Sequence, residues 1–498
     1  MTERVVAAID QGTTSTRCLL FNPAGRMVAV AQREHRQYYP RSGWVEHDAE
    51  EIWRNVTRIV PAALRSAGLG PENIVALGIA NQRETTVIWN RHTGVPLARA
   101  ITWQDIRTEG LVAGLVEAGR AELVTELCGL PPATYFAGPR LRWLLDHVPG
   151  ARAGAEAGDV LFGTMESWLI WKLTGRHVTD VTNASRTMLM DLRTRQWSPR
   201  LLDALGVPAR MLPEIRSNSE VYGTCTTVLP GVPVAGALGD QHAALVGQAC
   251  FEAGEAKCTY GTGAFLLMNT GPRIARSTHG LIPTVGYVLG DEVRYALEGS
   301  IAVTGSLVQW FRDALGMIST APQIETLAAS VPDNGGCYIV PAFSGLYAPR
   351  WHPEARGVMV GLTSFITRGH LARAVLEATG WQTREVVDAM NADSGLPVLR
   401  LKVDGGMTAN HLLMQFVADV LDVPVERPLG SEAVSLGAAY AAGLAVGYWT
   451  DLEVLRGNWH RAAAWEPAMD AEVRRREREN WSRAVDRSYG WAPPPAPE

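Results

Sequence analysis

Three short segments rich in glycine and threonine have the composition of turns that surround an anion. DQGTTSTR at 10–17, YGTG at 260–263 and DGGMTAN at 404–410 each follow an apolar run that predicts a strand. Glycine adopts backbone shapes that other residues resist, and short hydroxylated side chains leave the backbone N–H groups open to a phosphate. A hairpin with an acidic cap is the equally good alternative for the first turn alone. Three such turns together favour phosphate binding.

Charged residues beside the first turn indicate how a nucleotide would be held. Asp10, at the end of the strand, could hold a divalent cation through water, and Arg17 could contact a terminal phosphate. The chain has no GxxxxGK[ST] motif, and its three lysines, Lys172, Lys257 and Lys402, lie in no such loop. The HRD and DFG elements of protein kinases are absent as well. Backbone amides, Arg17 and a metal ion would therefore have to carry the phosphate charge.

Size and charge restrict the possible classes. A chain of 498 residues with 47% hydrophobic and 19% charged residues predicts a globular protein of at least two large domains. The net charge of −5 shows no basic excess, so we expect no nucleic-acid partner. Arginines at 474–478 alternate with glutamates, which is typical of a solvated helix face.

The N terminus and the cysteines point to the cytoplasm. MTERVVAAID has no uninterrupted apolar segment of the kind found in signal peptides. The longest uncharged stretch, 433–450, is rich in alanine and glycine, which predicts a buried helix and no membrane span. Six cysteines without a CxxC pair suit reduced thiols.

The elements that must position the three turns repeat along the chain. Apolar runs predict strands at 5–9, 16–22, 28–33, 74–80, 85–90 and 95–101 and a helix at 48–66, with helices dominating 111–205. The second half starts again with strands at 256–260 and 264–269. Later runs predict strands at 338–343, 358–362 and 398–403 and helices at 368–391 and 409–421. We expect two α/β domains, 1–248 and 249–498, with a ligand cleft between them.

The chain resembles the FGGY carbohydrate kinase family, and within it the members that phosphorylate glycerol. The motifs that carry this resemblance, between Val5 and Trp449, are DQGTTS, GWVEHD, NQRETT, FGTMESWLIWKLTG, TDVTNASRTM, GDQHAAL, TYGTGAF and DGGMTAN. The resemblance implies an α/β fold of two ribonuclease H-like (actin-like ATPase) domains flanking an ATP cleft. It also implies Mg²⁺ as the metal, glycerol as the substrate and a homodimer or homotetramer as the assembly.

The resemblance implies a glycerol site with seven residues. They are Arg83, Glu84, Trp103, Tyr135, Asp240, Gln241 and Phe265. A triol offers three hydroxyls and a short apolar backbone, which suits charged hydrogen-bonding groups together with aromatic walls. Considered singly, Arg83 with Glu84 is more often a surface pair, and Trp103 or Tyr135 is more often part of a core. Together, at positions that match the family, these residues favour the glycerol site.

By the same resemblance, ten residues would bind ATP and Asp10 would bind the metal. The ten are Thr13, Thr14, Ser15, Arg17, Gly261, Thr262, Gly305, Gln309, Gly406 and Asn410. Asp240 would be the general base that accepts the proton of a terminal glycerol hydroxyl as it attacks the γ-phosphorus. A helix N-cap is the alternative role for Asp240, because it stands between a small-residue strand and an apolar helix; the two roles are compatible.

The sequence departs from the family pattern at two positions near these motifs. His242 replaces a common glutamine, and Arg350 replaces a common aromatic residue. The short segment 226–230 lacks the glycine and arginine pattern of a sugar-bisphosphate site, and no histidine lies between His177 and His242, where some members are phosphorylated. A kinase for another small polyol or for dihydroxyacetone is the nearest rival reading, and an actin-like ATP-driven switch is a more distant one.

Overall fold

The structure, a computed structural model, describes residues 4–492. The segment APPPAPE at 492–498, whose composition predicts a disordered tail, lies outside this range except for its first residue. The strands of the first half are β1 (Val5–Gln11), β2 (Ser15–Phe21), β3 (Met27–Glu34), β4 (Gln37–Tyr38), β5 (Glu46–His47), β6 (Ile74–Asn81), β7 (Val87–Asn90), β8 (Ala100–Ile101), β9 (Val160–Gly163), β10 (Val178–Asp180), β11 (Met190–Asp191), β12 (Gln196–Trp197), β13 (Glu214–Arg216), β14 (Ser219–Thr224) and β15 (Pro233–Gly239). Those of the second half are β16 (Ala256–Tyr260), β17 (Ala264–Gly271), β18 (Ile282–Leu289), β19 (Glu292–Ile301), β20 (Tyr338–Val340), β21 (Val358–Val360), β22 (Leu401–Asp404), β23 (Val425–Pro428) and β24 (Arg461–Trp465).

Helices pack on the sheets and connect their strands. They are α1 (Ala49–Ala67), α2 (Glu109–Glu117), α3 (Ala121–Cys128), α4 (Ala137–His147), α5 (Ala151–Ala157), α6 (Met165–Thr174), α7 (Val181–Ala184), α8 (Pro199–Leu205), α9 (Asp240–Gly247), α10 (Gly305–Asp313), α11 (Gln323–Ala328), α12 (Arg368–Ser394), α13 (His411–Leu421), α14 (Ala433–Ala445), α15 (Leu452–Gly457) and α16 (Ala471–Asp486). In residues 4–492, none of these helices is long and apolar enough to cross a membrane.

The main sheet contains the same pairing scheme twice. In the first half, β1 pairs antiparallel with β2, β2 with β3, and β6 runs parallel to both β1 and β15. In the second half, β16 pairs antiparallel with β17, β17 with β19, and β22 runs parallel to both β16 and β23. A single bridge between Ser219 and Leu289 links the two parts into one sheet of thirteen strands within the described residues. The repeat expected from the turn motifs is therefore a repeat of topology.

Sequence patterns account for the elements around the first turn. β1 is buried along its full length, as expected of an apolar strand in the interior of a sheet. The predicted helix 48–66 is α1, which begins where the Asp48 side chain accepts from the Glu50 N–H and ends at Gly68 with φ +68°. Aspartate before the first turn and glycine after the last therefore define this helix.

Several predicted strands are shorter than their apolar runs. The run 95–101 forms a strand only at Ala100–Ile101, because Gly94, with φ +67°, and Pro96 make the preceding segment a turn. Pro341 follows directly after β20, which ends the predicted strand 338–343 at Val340. Proline and glycine thus override the apolar pattern at these positions.

Helix α14, from the second half of the chain, packs on the sheet of the first half. It contacts α9, β6, β15 and β1. A Cβ atom added to Gly437 would lie 1.8 Å from the Ala243 carbonyl oxygen, and one added to Gly247 would lie 1.9 Å from that of Ala433. The backbones of α9 and α14 therefore touch where only glycine fits. This crossing places the start of α14 beside Asp10, near the end of β1.

Candidate active site

A cleft of about 1960 Å³ is lined by residues from both halves of the chain. Eight residues predicted from the sequence lie in its lining: Thr13, Thr14, Trp103, Tyr135, Gln241, Gly261, Thr262 and Phe265. Two of the three glycine-rich turns therefore face the same space as four of the residues predicted to bind an alcohol. Trp103 and Tyr135 meet edge to face with ring centroids 5.8 Å apart, forming an aromatic wall.

The first turn is tied directly to this wall. Its tight shape is closed by the Gly12 N–H, which donates to the Ser15 carbonyl at 2.9 Å. Trp103 Nε1 donates to Thr13 Oγ1 at 3.0 Å, and Gln37 Nε2 donates to the Thr13 carbonyl at 2.9 Å. Ser15 Oγ accepts from Gln32 Nε2 at 3.1 Å. The predicted phosphate turn and the predicted alcohol site thus share a hydrogen bond.

Asp10 and Arg17 form an ion pair next to the turn. Arg17 also donates to Glu432 Oε2 at 2.6 Å, and Ser435 Oγ donates to Asp10 at 3.4 Å. Glu432 and Ser435 come from the start of α14, a contact that the sequence did not predict. A phosphate that approaches Arg17 would therefore compete with Glu432 for the guanidinium.

Asp10 is placed as a carboxylate that a cation would stabilise. Burial, which outweighs the opposing charge of Arg17, raises the pKa of Asp10 above its usual range. Among residues 4–492, no group of three or more His, Cys, Asp or Glu side chains could enclose a metal ion. The Asp10 carboxylate supplies oxygen, the ligand type that a hard divalent cation prefers.

The second and third turns meet at the start of α10. The Gly305 N–H donates to the Gly261 carbonyl at 3.1 Å, and the Ser306 N–H donates to the Thr262 carbonyl at 3.0 Å. A Cβ on Gly305 would lie 2.4 Å from the Gly261 carbonyl oxygen and 3.3 Å from Met407 Sδ. Side chains would separate these backbones, so glycine is what allows the segments to converge.

Gly405 rather than Gly406 is the glycine that this packing requires. It has φ +94°, and its Cβ would lie 2.3 Å from the Tyr260 carbonyl oxygen, whereas a Cβ on Gly406 would meet open space. Gly406 therefore faces space that a ligand could occupy.

Two other residues predicted to bind the nucleotide lie near these turns. Asn410 caps α13 by accepting from the Leu413 N–H at 2.8 Å, and Gln309 is exposed in the second turn of α10.

A buried ion network lies below the cleft. Arg83 binds Glu298 with two hydrogen bonds of 2.5 and 2.9 Å, and its Nε lies 3.2 Å from Asp240 Oδ1. Arg186 donates to Glu84 Oε1 at 2.7 Å and lies 3.3 Å from Glu298 Oε2. The side chains of Arg83, Glu84, Arg186 and Glu298 are at most 2% exposed, whereas Asp240 is 30% exposed. The structure thus buries Arg83 and Glu84, which the sequence left open as a surface pair.

Burial and neighbouring charge act in opposite directions on these carboxylates. At Glu298, burial alone would raise the pKa, but the combined charges of the Arg186 and Arg83 guanidiniums hold it well below the usual range. At Asp240, burial outweighs the nearby Arg83 charge, so its pKa is raised. Asp240 is consequently a better proton acceptor than an ordinary exposed aspartate, while Glu298 stays ionised.

Asp240 opens α9 without closing its first turn as a side-chain cap. Gly239 occupies the cap position, and Asp240 Oδ1 accepts from the neighbouring Gln241 N–H at 2.7 Å. The partly exposed carboxylate is therefore available to a ligand. This geometry favours the base over the cap as its main role.

Three buried cations near the site were not identified from the sequence. Arg186 lies in the quoted TNASRTM motif, to which no role was given, and Lys257 is one of the three lysines. Lys257 Nζ donates to Gln241 Oε1 and lies 3.1 Å from Thr259 Oγ1. Because Lys257 binds the amide oxygen of Gln241, the amide nitrogen of Gln241 is directed away from Lys257. The third is Arg140. The sole sequence signal for Glu298, the partner of Arg186, is a carboxylate inside the apolar run RYALEGSI.

The two departures from the family pattern have separate surroundings. His242 is buried, with Nε2 3.2 Å from Thr284 Oγ1, and burial lowers its pKa well below the usual range, so it is neutral. Arg350 donates to Glu385 at 2.8 Å and to the Tyr489 hydroxyl at 2.9 Å. His242 therefore adjoins the ion network, whereas Arg350 attaches its loop to α12 and to the segment after α16.

His47 connects the first turn to the segment that carries Arg83. His47 Nδ1 lies 3.2 Å from Gln82 Nε2, which donates to it, and His47 Nε2 donates to Gln37 Oε1 at 2.7 Å. Gln37 in turn holds Thr13. This series of hydrogen bonds requires a neutral His47 imidazole with its proton on Nε2.

We expect His47 to make the protein less stable in acid. Burial, reinforced by the nearby His35, lowers the pKa of His47 from 6.5 to about 3. Between these values the unfolded chain binds the proton and the folded protein does not, so stability falls as the pH is lowered from 6.5. The free-energy difference between wild type and His47→Gln should shrink by about 1.4 kcal/mol per pH unit below pH 6.5, measured by urea unfolding.

His460→Gln, at an exposed position, is the matched control for this measurement. Its stability should follow that of the wild type across the same pH range. A His47→Gln curve that also runs parallel to the wild type would show that His47 does not stay neutral in the folded protein.

The fold and the site together define an enzyme that transfers a phosphoryl group. A doubled α/β topology surrounds a cleft where glycine-rich turns face an aromatic wall, and Asp240, a carboxylate of raised pKa, directly precedes the cleft residue Gln241. Turns of this kind suit a nucleotide, and the wall with its charged neighbours suits a small hydroxylated acceptor.

Comparison with known proteins identifies the family. Residues 5–247 match the N-terminal domain model of the FGGY family of carbohydrate kinases, and residues 256–446 match its C-terminal domain model. The chain therefore belongs to the FGGY family of carbohydrate kinases, and its fold is the two-domain actin-like ATPase fold predicted from the sequence.

Individual relatives agree with this assignment. The chain is 61% identical over 495 residues to glycerol kinase 2 of Streptomyces avermitilis, covering 98% of each chain. It is also 61% identical over 495 residues to a glycerol kinase of Nocardia farcinica, covering 98% of this chain and 99% of the relative. The crystal structure of Plasmodium falciparum glycerol kinase with ADP superposes with a TM-score of 0.93 at 37% identity, covering 98% of each chain.

Proposed function

We propose that this protein transfers the γ-phosphoryl group of ATP to glycerol and forms sn-glycerol 3-phosphate. The observation that carries the proposal is the contact of Arg83 with Asp240, which directly precedes Gln241 in a cleft that Gln241, Trp103, Tyr135 and Phe265 line. The names of relatives 61% identical over almost the whole chain support glycerol as the acceptor.

The acceptor would be held by groups that match a triol. Arg83 donates hydrogen bonds, and the carboxylates of Glu84 and Asp240 accept them. Because Lys257 occupies the Gln241 oxygen, Gln241 would present its amide N–H groups to the substrate. Trp103, Tyr135 and Phe265 would enclose the carbon chain.

Transfer would start with the removal of a proton from a terminal hydroxyl. Asp240 accepts this proton while the hydroxyl oxygen attacks the γ-phosphorus, and the bond to the ADP oxygen breaks. The backbone N–H groups of the 10–17 and 260–263 turns face the phosphates, and Arg17 exchanges its partner Glu432 for a phosphate oxygen. Mg²⁺, held by phosphate oxygens and water beside Asp10, would offset the charge of the phosphates.

Around this chemistry we propose a chain of two domains, 1–248 and 249–498, that closes on its substrates. Water beside the γ-phosphate would compete with glycerol, so closure would suppress hydrolysis of ATP. Gly305, Gln309, Gly406 and Asn410 would contact the nucleoside of ATP. We also propose a cytoplasmic homodimer or homotetramer.

The test is ADP release by the purified protein with Mg·ATP, measured with glycerol, with dihydroxyacetone, with other small polyols, and with no acceptor. We expect release that depends strongly on glycerol. Faster release with another acceptor would assign the enzyme to the rival polyol or dihydroxyacetone kinases. Release that is the same with and without every acceptor would favour an ATP-driven switch instead.

A further inference from the structure

Arg140, in the first turn of α4, is a fully buried guanidinium that binds only backbone carbonyls. Its NH1 donates to the Glu84 carbonyl at 3.1 Å. Its NH2 reaches the carbonyls of Trp103 at 2.9 Å, Thr134 at 2.6 Å and Tyr135 at 2.8 Å. Among the described residues, no carboxylate lies within 4.0 Å of it. A charge buried without a counterion is costly, so the four carbonyls are what stabilises it.

The four carbonyls belong to three separate segments of the first half. Glu84 follows β6, Trp103 follows β8, and Thr134 with Tyr135 precedes α4. Side chains from all three segments form the proposed alcohol site: the Glu84 carboxylate, the Trp103 ring and the Tyr135 ring. One guanidinium therefore bridges the backbones of all three segments.

The unfavourable backbone conformation of Glu84 requires hydrogen bonds that stabilise it. Glu84 has φ +64°, a left-handed conformation that a residue with a Cβ rarely adopts and that costs of order 1 kcal/mol or more. Its carbonyl accepts from Arg140 and from Thr86 Oγ1 at 3.0 Å. These bonds hold the conformation that turns the Glu84 carboxylate toward Arg186.

We propose that Arg140 is a positioning residue that sets the width of the alcohol pocket and so limits the acceptor to a short polyol. This inference rests on the proposed function. Arg140 does not touch the acceptor itself; it acts through the backbones of Glu84, Trp103 and Tyr135. Loss of its hydrogen bonds would let the segments separate, weakening contacts to glycerol and admitting a longer chain.

The experiment compares Arg140→Met with the wild type in steady-state kinetics with glycerol, ATP and the four-carbon polyol erythritol. Met keeps the apolar stem and removes every donor. We expect the KM for glycerol to rise at least tenfold while the KM for ATP changes less than twofold. The ratio of kcat/KM for erythritol to that for glycerol should rise at least tenfold.

Arg142→Met is the matched control, because Arg142 lies on the same helix, is partly exposed and binds Asp146 and the Leu205 carbonyl. Its kinetic constants should equal those of the wild type. An Arg140→Met enzyme with a lower melting temperature but unchanged glycerol KM and unchanged polyol ratio would overturn the proposal, since Arg140 would then support only the fold.

Arg140→Lys provides the test if the methionine variant does not fold. Lysine keeps the charge but has three donors on one nitrogen, too few for four carbonyls. We expect a rise of at least threefold in the glycerol KM and in the polyol ratio, and no change in either would overturn the proposal. Wild-type ADP release that does not depend on glycerol would instead contradict the proposed function.

Discussion

Asp240→Asn should lower kcat for glycerol phosphorylation by about 10²- to 10⁴-fold, the usual contribution of a general base. Asparagine has nearly the same shape but cannot take the proton of the attacking hydroxyl. ATP binding should persist, because the residues proposed to bind the nucleotide are unchanged. Glycerol-dependent ADP release and equilibrium ATP binding measure the two effects separately.

The pH profile gives a second readout for Asp240. Since burial raises its pKa, the wild-type rate should fall on the acid side at a higher pH than an ordinary aspartate would give. This acid limb should disappear from the residual activity of Asp240→Asn. A variant that keeps wild-type activity would rule out Asp240 as the base.

Asp48→Asn is the control for a role in helix capping alone. Asp48 caps α1 by accepting from the Glu50 N–H at 2.9 Å, and asparagine caps a helix about as well as aspartate. This variant should therefore retain full activity. If Asp240→Asn retained full activity as Asp48→Asn does, the Asp240 carboxylate would not be the proton acceptor.

Glu298→Gln should produce the largest loss of stability. Glu298 is the buried partner of both Arg83 and Arg186, and an amide leaves these two cations without their shared counter-charge. Removing one partner of a buried ion pair typically costs about 3–5 kcal/mol. The loss should appear as a lower midpoint of urea or thermal unfolding, with a raised KM for glycerol because Arg83 loses its orientation.

The pH dependence of this loss has a definite sign. The pKa of Glu298 is depressed in the folded protein below its ordinary value of 4.5, so its stabilising effect is complete above that value and declines as the pH falls. The difference between wild type and Glu298→Gln should therefore be largest at neutral pH and smaller at pH 4.

Glu292→Gln provides a control on the same strand. Glu292 pairs with Arg294 at 2.5 Å, but its side chain is 49% exposed. Exposed ion pairs contribute little, so its stability should change by less than about 1 kcal/mol. Equal losses of stability in Glu292→Gln and Glu298→Gln would show that the buried ion pairs of Glu298 contribute no more than an exposed pair.

Local patterns in the sequence predicted much of the fold. The continuous apolar run of β1, the capping residues of α1 and the matched turns of the two halves each depend on neighbours close in the chain. Strand ends at 95–101 and 338–343 were wrong because proline and glycine interrupted the ladders. The family motifs supplied the candidate site residues, since motif spacing persists in sequence.

Contacts between distant segments could not be obtained in this way. Glu298 meets Arg83 across 215 residues, and Glu432 meets Arg17 across 415 residues. An isolated carboxylate in a strand, or one before a helix, carries no signal of its partner. Arg140 similarly resembles any arginine at the start of a helix until the fold surrounds it with four carbonyls.

The sequence by itself determined the class of protein through its family motifs, and the doubled α/β pattern through short-range spacing. The residues expected to bind a nucleotide and a small alcohol come from the family resemblance and stay predictions. Only the tertiary structure decided which charges are buried together, which glycine packs against Tyr260, and where α14 lies. Burial turns an ordinary arginine or glutamate into a fixed structural charge, and burial is a property of the whole fold.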